Sequence, residues 1–178
     1  MAKKKKDFSS YTVERYEEII KLKTGYYTFQ LPVALGLLLA NITDKKIHER
    51  TDTISLQLGK LFQMQDDYID CYGDANLIGK DRTDIREGKC TWFAVQALNR
   101  CNRNQRIVFN TCYGSNQPAH IERIQTLYNQ MGLKQEFKKH EKQLYDEIVM
   151  KSKELETSTG VPAKMVLTLL KMLDERRQ

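Results

Sequence analysis

The chain has 178 residues, of which 40% are hydrophobic, 29% charged and 9% aromatic, and it carries a net charge of +6. This balance is typical of a globular protein and excludes disordered and fibrous chains. The longest apolar run, Leu31 to Ala40, is far shorter than the ~20 residues of a membrane-spanning helix, so no span is expected. Lys3 to Lys6 lead into polar residues and not into a hydrophobic signal segment. We therefore expect a cytoplasmic protein whose residues 1–7 form a basic, disordered N-terminus.

The cysteines and histidines indicate no metal or redox site of their own. The four cysteines form no closely spaced pair, which favours reduced, mostly buried thiols. The three histidines lie far apart and form no pair at helical spacing. No base-reading motif accompanies the positive charge, so we expect no nucleic-acid partner.

Apolar residues recur at helical spacing along nearly the whole chain, and the sustained alternation of strands is missing, so an all-α fold is predicted. The first two helices are expected from Tyr11 to about Thr28 and from Leu31 to Ala40. A third is predicted from Lys45 to Tyr72, capped by Thr43 or Asp44. The polar stretch from Gly73 to Gly88 is expected to be a long ordered loop. Five further helices are predicted over residues 91–100, 104 to about 113, 118–131, 133 to about 158, and 161–176. Without a linker to divide it, the chain is expected to form one packed unit over residues 8–178.

The most informative residues are acids at the predicted end of the third helix. Asp66, Asp67 and Asp70 lie within five positions, with Gln63 one turn earlier, and like charges at this spacing destabilise a bare helix. The negative end of the helix dipole adds to the conflict, and a cation would remove it. Oxygen ligands of this kind suit Mg²⁺ completed by phosphate oxygens. The nearby cations Lys23, Lys80, Arg82 and Lys89 could hold the phosphate. An acidic, solvated helix end followed by a mixed-charge loop remains the alternative.

The residues around these acids resemble a known family. Phe62-Gln63-Met64-Gln65 followed by Asp66-Asp67-Tyr68-Ile69-Asp70 resembles the second aspartate-rich motif of the farnesyl diphosphate synthases, which are trans-isoprenyl diphosphate synthases. Further matching segments occur in the family's order: Lys23-Thr24-Gly25-Tyr26-Tyr27-Thr28-Phe29, Leu31-Pro32-Val33, Gly73-Asp74, Gly79-Lys80, Thr83-Asp84-Ile85 and Lys89-Cys90-Thr91-Trp92. The resemblance implies the helical bundle of the isoprenoid synthases.

The resemblance also implies roles for single residues in a prenyltransferase that condenses isopentenyl diphosphate with dimethylallyl or geranyl diphosphate. Magnesium bridged to the allylic diphosphate would face the three acids, with Asp66 the foremost direct ligand. Two lysines, Lys23 and Lys80, would contact that diphosphate. The side-chain oxygens of Thr24, Tyr27 and Gln63 would stabilise the allylic cation.

One part of the family pattern is missing from these residues. The synthases have an earlier aspartate-rich motif, and the sequence holds no second DDxxD. We therefore expect the C-terminal part of a synthase that lacks its N-terminal helices, either begun at an internal methionine of a longer protein or produced naturally as a short chain. Two hypotheses follow. The protein is an enzyme, expected to be a homodimer, or it is a non-catalytic helical subunit that pairs with a longer synthase chain. Loss of the front helices should leave four side chains partly exposed: Tyr26, Phe29, Leu35 and Leu38.

Overall fold

The computed structural model describes residues 7–73 and 83–175. Every regular element in these two ranges is helical, which confirms the predicted all-α class. The elements are α1 (Val13–Ile20), a π-helical segment (Lys21–Gln30), α2 (Leu31–Leu39), α3 (Lys45–Tyr72), α4 (Thr83–Glu87), α5 (Trp92–Arg100), α6 (Arg103–Cys112), α7 (Pro118–Gln130), α8 (Leu133–Thr159) and α9 (Lys164–Glu175). None of these helices is both long and apolar enough to cross a membrane.

Local capping explains why several predicted boundaries are correct. The predicted bounds of α3 match the structure, and Asp44 caps it, because its Oδ1 accepts hydrogen bonds from the amides of Lys46 at 2.8 Å and Ile47 at 3.1 Å. Asn102 and Gln105 form a reciprocal capping box that starts α6 one residue earlier than predicted. The expected loop between Gly73 and Gly88 is wrong in one respect, since its last part forms the short helix α4.

The predicted break between the first two helices is also wrong. Helical structure continues from α1 through the π-helical segment into α2, and the amide of Leu31 donates to the carbonyl of Tyr26, five residues earlier. Pro32 lies at the point where this wider winding ends. A proline inside a regular α-helix collides with the carbonyl four residues before it and lacks an amide, so the change of winding at this point accommodates the ring.

The chain folds as two compact units. The first comprises residues 1–17 and 64–138, and the second comprises residues 18–63 and 139–178. Interlocking aromatic rings form the core of the first unit. Phe93 stacks on Phe137 with ring centroids 5.7 Å apart, and Tyr68 stacks on Phe137 at 4.7 Å. Edge contacts from Trp92 to both phenylalanines complete this cluster.

Gly59 allows two helices of the second unit to come into backbone contact. A Cβ atom added to Gly59 of α3 would lie 2.7 Å from the Cα atom of Gly25 in the π-helical segment. No side chain fits in that space. Phe29, one turn further along the segment, packs edge-on against the ring of Phe62 at 5.8 Å.

The outer side of the π-helical segment and α2 exposes several large apolar side chains, including the three predicted ones, Tyr26, Leu35 and Leu38. The prediction for Phe29 is wrong. Its side chain is buried because it packs on Phe62 of α3. Leu22, Leu31 and Leu39 are exposed as well. Exposed apolar side chains of this size are typical of interaction regions.

Substituting Gly59 should separate the two helices. Gly59→Ala places a methyl group against backbone, which cannot move aside, and should lower the free energy of unfolding by about 2 kcal/mol, a usual cost of overpacking. Urea unfolding followed by circular dichroism measures the change.

Gly25→Ala is the matched control. Its added Cβ would meet the terminal Cδ2 of Leu56 at 3.0 Å, and a flexible side chain can rotate away. Stability close to that of the unsubstituted chain is expected. Equal destabilisation by both substitutions would contradict the backbone contact.

Candidate functional site

The three acids at the end of α3 differ in their surroundings. The side chains of Asp66 and Asp70 are partly exposed, whereas Asp67 is 3% exposed. Asp66 and Asp70 are four residues apart and share a face of α3, but the adjacent Asp67 points to another side. The three acids therefore occupy two different environments.

Asp67 bonds to two partners in the interior of the first unit. Its Oδ2 accepts a hydrogen bond from the hydroxyl of Tyr16 in α1 at 2.8 Å. The same oxygen accepts from the amide of Trp92 at 2.8 Å. Trp92 begins α5, where the first amides have no partner within the helix, so the carboxylate satisfies one of them.

Asp70 bonds to the beginning of the next helix along the chain. Its Oδ1 accepts from the amide of Thr83 and its Oδ2 from the amide of Asp84, both at 3.1 Å. Thr83 and Asp84 are the first two residues of α4. The carboxylate thus caps α4 from α3 and lies at the positive end of its peptide dipoles.

A fourth acid, Asp84, belongs to this cluster and was not among the predicted site residues. Burial raises the pKa of its carboxyl, and the charges of Asp70 and Asp66 add to the rise, whereas a hydrogen bond from Lys89 opposes it. The sequence offers one signal that Asp84 belongs to the site, which is its position in a segment that resembles the synthases. The electrostatic coupling to Asp66 and Asp70 requires the folded chain.

Lys89 supplies a positive charge to Asp84 and to Glu87. Its Nζ lies 3.0 Å from Asp84 Oδ1 and 3.1 Å from Glu87 Oε2. Burial lowers the pKa of this lysine, but its bonds to the two carboxylates outweigh that effect and the pKa is raised. The ammonium group therefore stays charged and offsets part of the repulsion among the carboxylates.

The remaining predicted site residues that the structure describes lie in the second unit. The hydroxyl of Thr24 donates to Gln63 Oε1 at 3.3 Å, and both side chains are buried. Lys23 and Tyr27 are exposed, Tyr27 to 64%. The structure thus brings Thr24 and Gln63 together as a pair. Lys80 and Arg82 lie outside the described residues.

The carboxylates at the end of α3 fit a magnesium ion whose remaining ligands include phosphate oxygens. Within residues 7–73 and 83–175, no three His, Cys, Asp or Glu side chains are grouped so as to hold a metal by themselves. Magnesium does not require such a cage, because it binds through one or two carboxylates plus waters and substrate phosphates. The partly exposed Asp66, whose charge acts on Asp84, offers a hard oxygen ligand of the right type.

Comparison with known proteins identifies the family. Residues 1–131 match the polyprenyl synthetase family. The chain is 40% identical to the farnesyl pyrophosphate synthase of Nezara viridula over 94% of its own length, and 36% identical to that of Gallus gallus over 98%. The chain therefore belongs to the polyprenyl synthetase family.

Solved structures support the same assignment. The fold matches the T. brucei farnesyl pyrophosphate synthase with a TM-score of 0.86 and 29% identity, covering 94% of this chain and 52% of that one. A T. brucei farnesyl diphosphate synthase complexed with risedronate matches equally well, with coverage of 96% and 48%. These matches confirm the predicted isoprenoid-synthase fold. The chain spans 41% of the Nezara viridula protein and 47% of the Gallus gallus protein, or about half the length of its relatives.

Removing the Asp70 side chain should loosen α4. Asp70→Ala deletes both bonds to the amides of Thr83 and Asp84 and should lower the free energy of unfolding by about 1 kcal/mol, the usual cost of a lost cap. Asp70→Asn keeps one acceptor oxygen and should recover about half of this loss. Denaturant unfolding of both variants provides the measurement. If asparagine recovers nothing, the contribution of Asp70 comes from its charge and not from capping.

Proposed function

We propose that this chain is part of a magnesium-dependent prenyltransferase that condenses isopentenyl diphosphate with dimethylallyl or geranyl diphosphate to give farnesyl diphosphate. The observation that carries the proposal is the acid cluster of Asp66, Asp70 and Asp84 in a chain of the polyprenyl synthetase family. Like charges in partly buried positions are unfavourable unless a cation joins them. The names of the relatives, farnesyl pyrophosphate synthases, supply the substrate class.

The proposed roles follow the resemblance residue by residue. Asp66 would hold the ion directly, and when bound the ion would neutralise charge on the departing diphosphate. The ammonium groups of Lys23 and Lys80 would bind diphosphate oxygens. Loss of diphosphate from the allylic carbon leaves a cation, which the oxygens of Thr24, Tyr27 and Gln63 would stabilise.

The chemistry then joins two carbon skeletons. The alkene of isopentenyl diphosphate attacks the allylic cation, a carbon–carbon bond forms, and loss of a proton restores a double bond. Water must be kept away from the cation, because its attack would give an alcohol in place of the prenyl product. In the second unit the buried pair of Thr24 and Gln63 offers polar oxygens that are shielded from solvent, as this step requires.

A non-catalytic subunit that pairs with a longer synthase chain is the second candidate. Two observations favour it. The sequence holds only one DDxxD motif, and large apolar side chains of α2, Leu35, Leu38 and Leu39, are exposed. The acids would then bind a metal diphosphate without turnover, or serve the partner chain.

Incubating the pure chain with Mg²⁺, geranyl diphosphate and labelled isopentenyl diphosphate separates the two candidates. We expect no prenyl product from the chain alone, because half of the family's metal ligands are missing from its sequence. Labelled product would show that the missing motif is dispensable and would favour the enzyme. More product from a mixture with a longer synthase chain than from that longer chain alone would favour the subunit.

Several further properties stay predictions. These are a cytoplasmic location, assembly as a homodimer or with a longer synthase chain, a magnesium ion that faces the three acids of the motif with Asp66 as the foremost direct ligand, and the division into a basic terminus of residues 1–7 and a synthase part of residues 8–178. Residues 1–6 lie outside the described residues. Asp7 is described, and its carboxylate accepts a hydrogen bond from the amide of Ser9.

Substituting Asp66 should strongly weaken magnesium-dependent ligand binding. The probe is risedronate, the compound named for one of the T. brucei structures, titrated into the chain by calorimetry with and without Mg²⁺. Asp66→Ala and Asp66→Asn should each weaken binding by about tenfold or more, since neither side chain provides a charged oxygen for the ion.

His140→Ala serves as the control. His140 lies on α8 in the second unit and has no proposed role, so this variant should bind as the unsubstituted chain does. Equal binding by the Asp66 and His140 variants would contradict the assigned metal position. Binding that is strong without Mg²⁺ would contradict the proposed metal dependence.

A further inference from the structure

Tyr16 is a buried tyrosine of α1 that bonds directly to the aspartate-rich motif. Its side chain is 3% exposed, and its hydroxyl donates to Asp67 Oδ2 at 2.8 Å. The amide of Trp92 donates to the same oxygen at the same distance. One carboxylate oxygen therefore links α1, the last turns of α3 and the first residue of α5, all within the first unit.

Both hydrogen bonds lie in the interior of the first unit, because the Asp67 side chain that accepts them is only 3% exposed. A buried polar group that loses its partner has no water to replace it, so each bond is costly to remove. Burial raises the pKa of the Tyr16 phenol well above its ordinary value, and the nearby charge of Asp67 raises it further. The phenol therefore keeps its proton and remains a donor.

Helix geometry relates these bonds to the acids proposed to face the ion. Adjacent residues of an α-helix point in directions about 100° apart, so fixing the carboxylate of Asp67 toward α1 and α5 also fixes the rotation of the last turns of α3. That rotation sets where Asp66 and Asp70 point. Asp70 in turn places Asp84 through the amides of α4.

We propose that Tyr16 is a positioning residue of the aspartate-rich motif, which acts by holding Asp67, and that Asp67 is itself a positioning residue and not a metal ligand. The inference rests on the proposed function, because it takes Asp66 as the acid that meets the ion. It assigns different roles to the two adjacent aspartates. Asp66 needs its charge, whereas Asp67 needs an oxygen that accepts two hydrogen bonds.

The test is a set of substitutions in the full chain, each titrated with risedronate in the presence of Mg²⁺ and each unfolded in urea. Asp67→Ala should weaken binding and lower the unfolding midpoint. Asp67→Asn should restore most of both, because its amide oxygen can still accept from Tyr16 and Trp92. By contrast, Asp66→Asn should bind risedronate no better than Asp66→Ala does.

Tyr16→Phe should weaken risedronate binding severalfold, and combining it with Asp67→Ala should cost no more than Asp67→Ala alone, since both delete one bond. Tyr128→Phe is the matched control. It removes an equally buried hydroxyl of the same unit from a tyrosine that the structure does not bond to the acids of α3, and binding should be unchanged.

The outcomes separate the two proposals. Failure of the unsubstituted chain to bind risedronate with Mg²⁺ overturns both the proposed function and the positioning roles. Binding that is lost on substitution of Asp66 but is unaffected by Tyr16→Phe overturns only the role of Tyr16. If Asp67→Asn binds as poorly as Asp67→Ala while its unfolding midpoint is restored, Asp67 needs its charge and is a ligand.

Discussion

The end of α3 holds the beginnings of the next two helices through carboxylate-to-amide hydrogen bonds. Asp70 accepts from the first two amides of α4, and Asp67 accepts from the first amide of α5. Each carboxylate satisfies donors that have no partner within their own helix and lies where the peptide dipoles favour negative charge. A motif that is unfavourable on an isolated helix thus becomes favourable through the elements that follow it.

This arrangement explains how four aspartates can occupy one small region. Asp67 and Asp70 accept hydrogen bonds from neighbouring hydroxyl or amide groups, which offset the cost of placing these two side chains close together. Asp84 is different, because burial and the charges of Asp70 and Asp66 raise its pKa, although the bond from Lys89 opposes that effect. The repulsion between carboxylates is therefore greatest among Asp84, Asp66 and Asp70. A cation bound beside these three acids would relieve it.

Local rules predicted a large part of this structure. The bounds of α3 follow from its apolar period and from Asp44 as a cap, and both depend on residues close together in the chain. The acid motif was found in the same way.

The bond from Tyr16 to Asp67 joins residues 51 positions apart, and the coupling of Asp84 to Asp66 depends on how α4 is placed. Neither interaction produces a periodic pattern in the sequence from which it could be predicted. The sequence also did not predict the change to π-helical winding before Pro32. A proline in the first turn of a helix and a proline after a π-helical segment look alike in sequence.

The π-helical segment also decides which of its side chains are available to a ligand. Thr24 and Gly25 are consecutive and both buried, whereas Lys23 and Tyr27 on either side of them are exposed. The absence of a side chain at Gly59 lets α3 touch the backbone of the segment at Gly25. Gln63 lies four residues after Gly59 on the same face of α3, so this close approach brings its amide oxygen within 3.3 Å of the Thr24 hydroxyl. Gly59 therefore sets the position of the one pair of predicted cation-stabilising oxygens that the structure joins by a hydrogen bond. A wider separation of these helices would leave both polar groups buried without each other, which is costly.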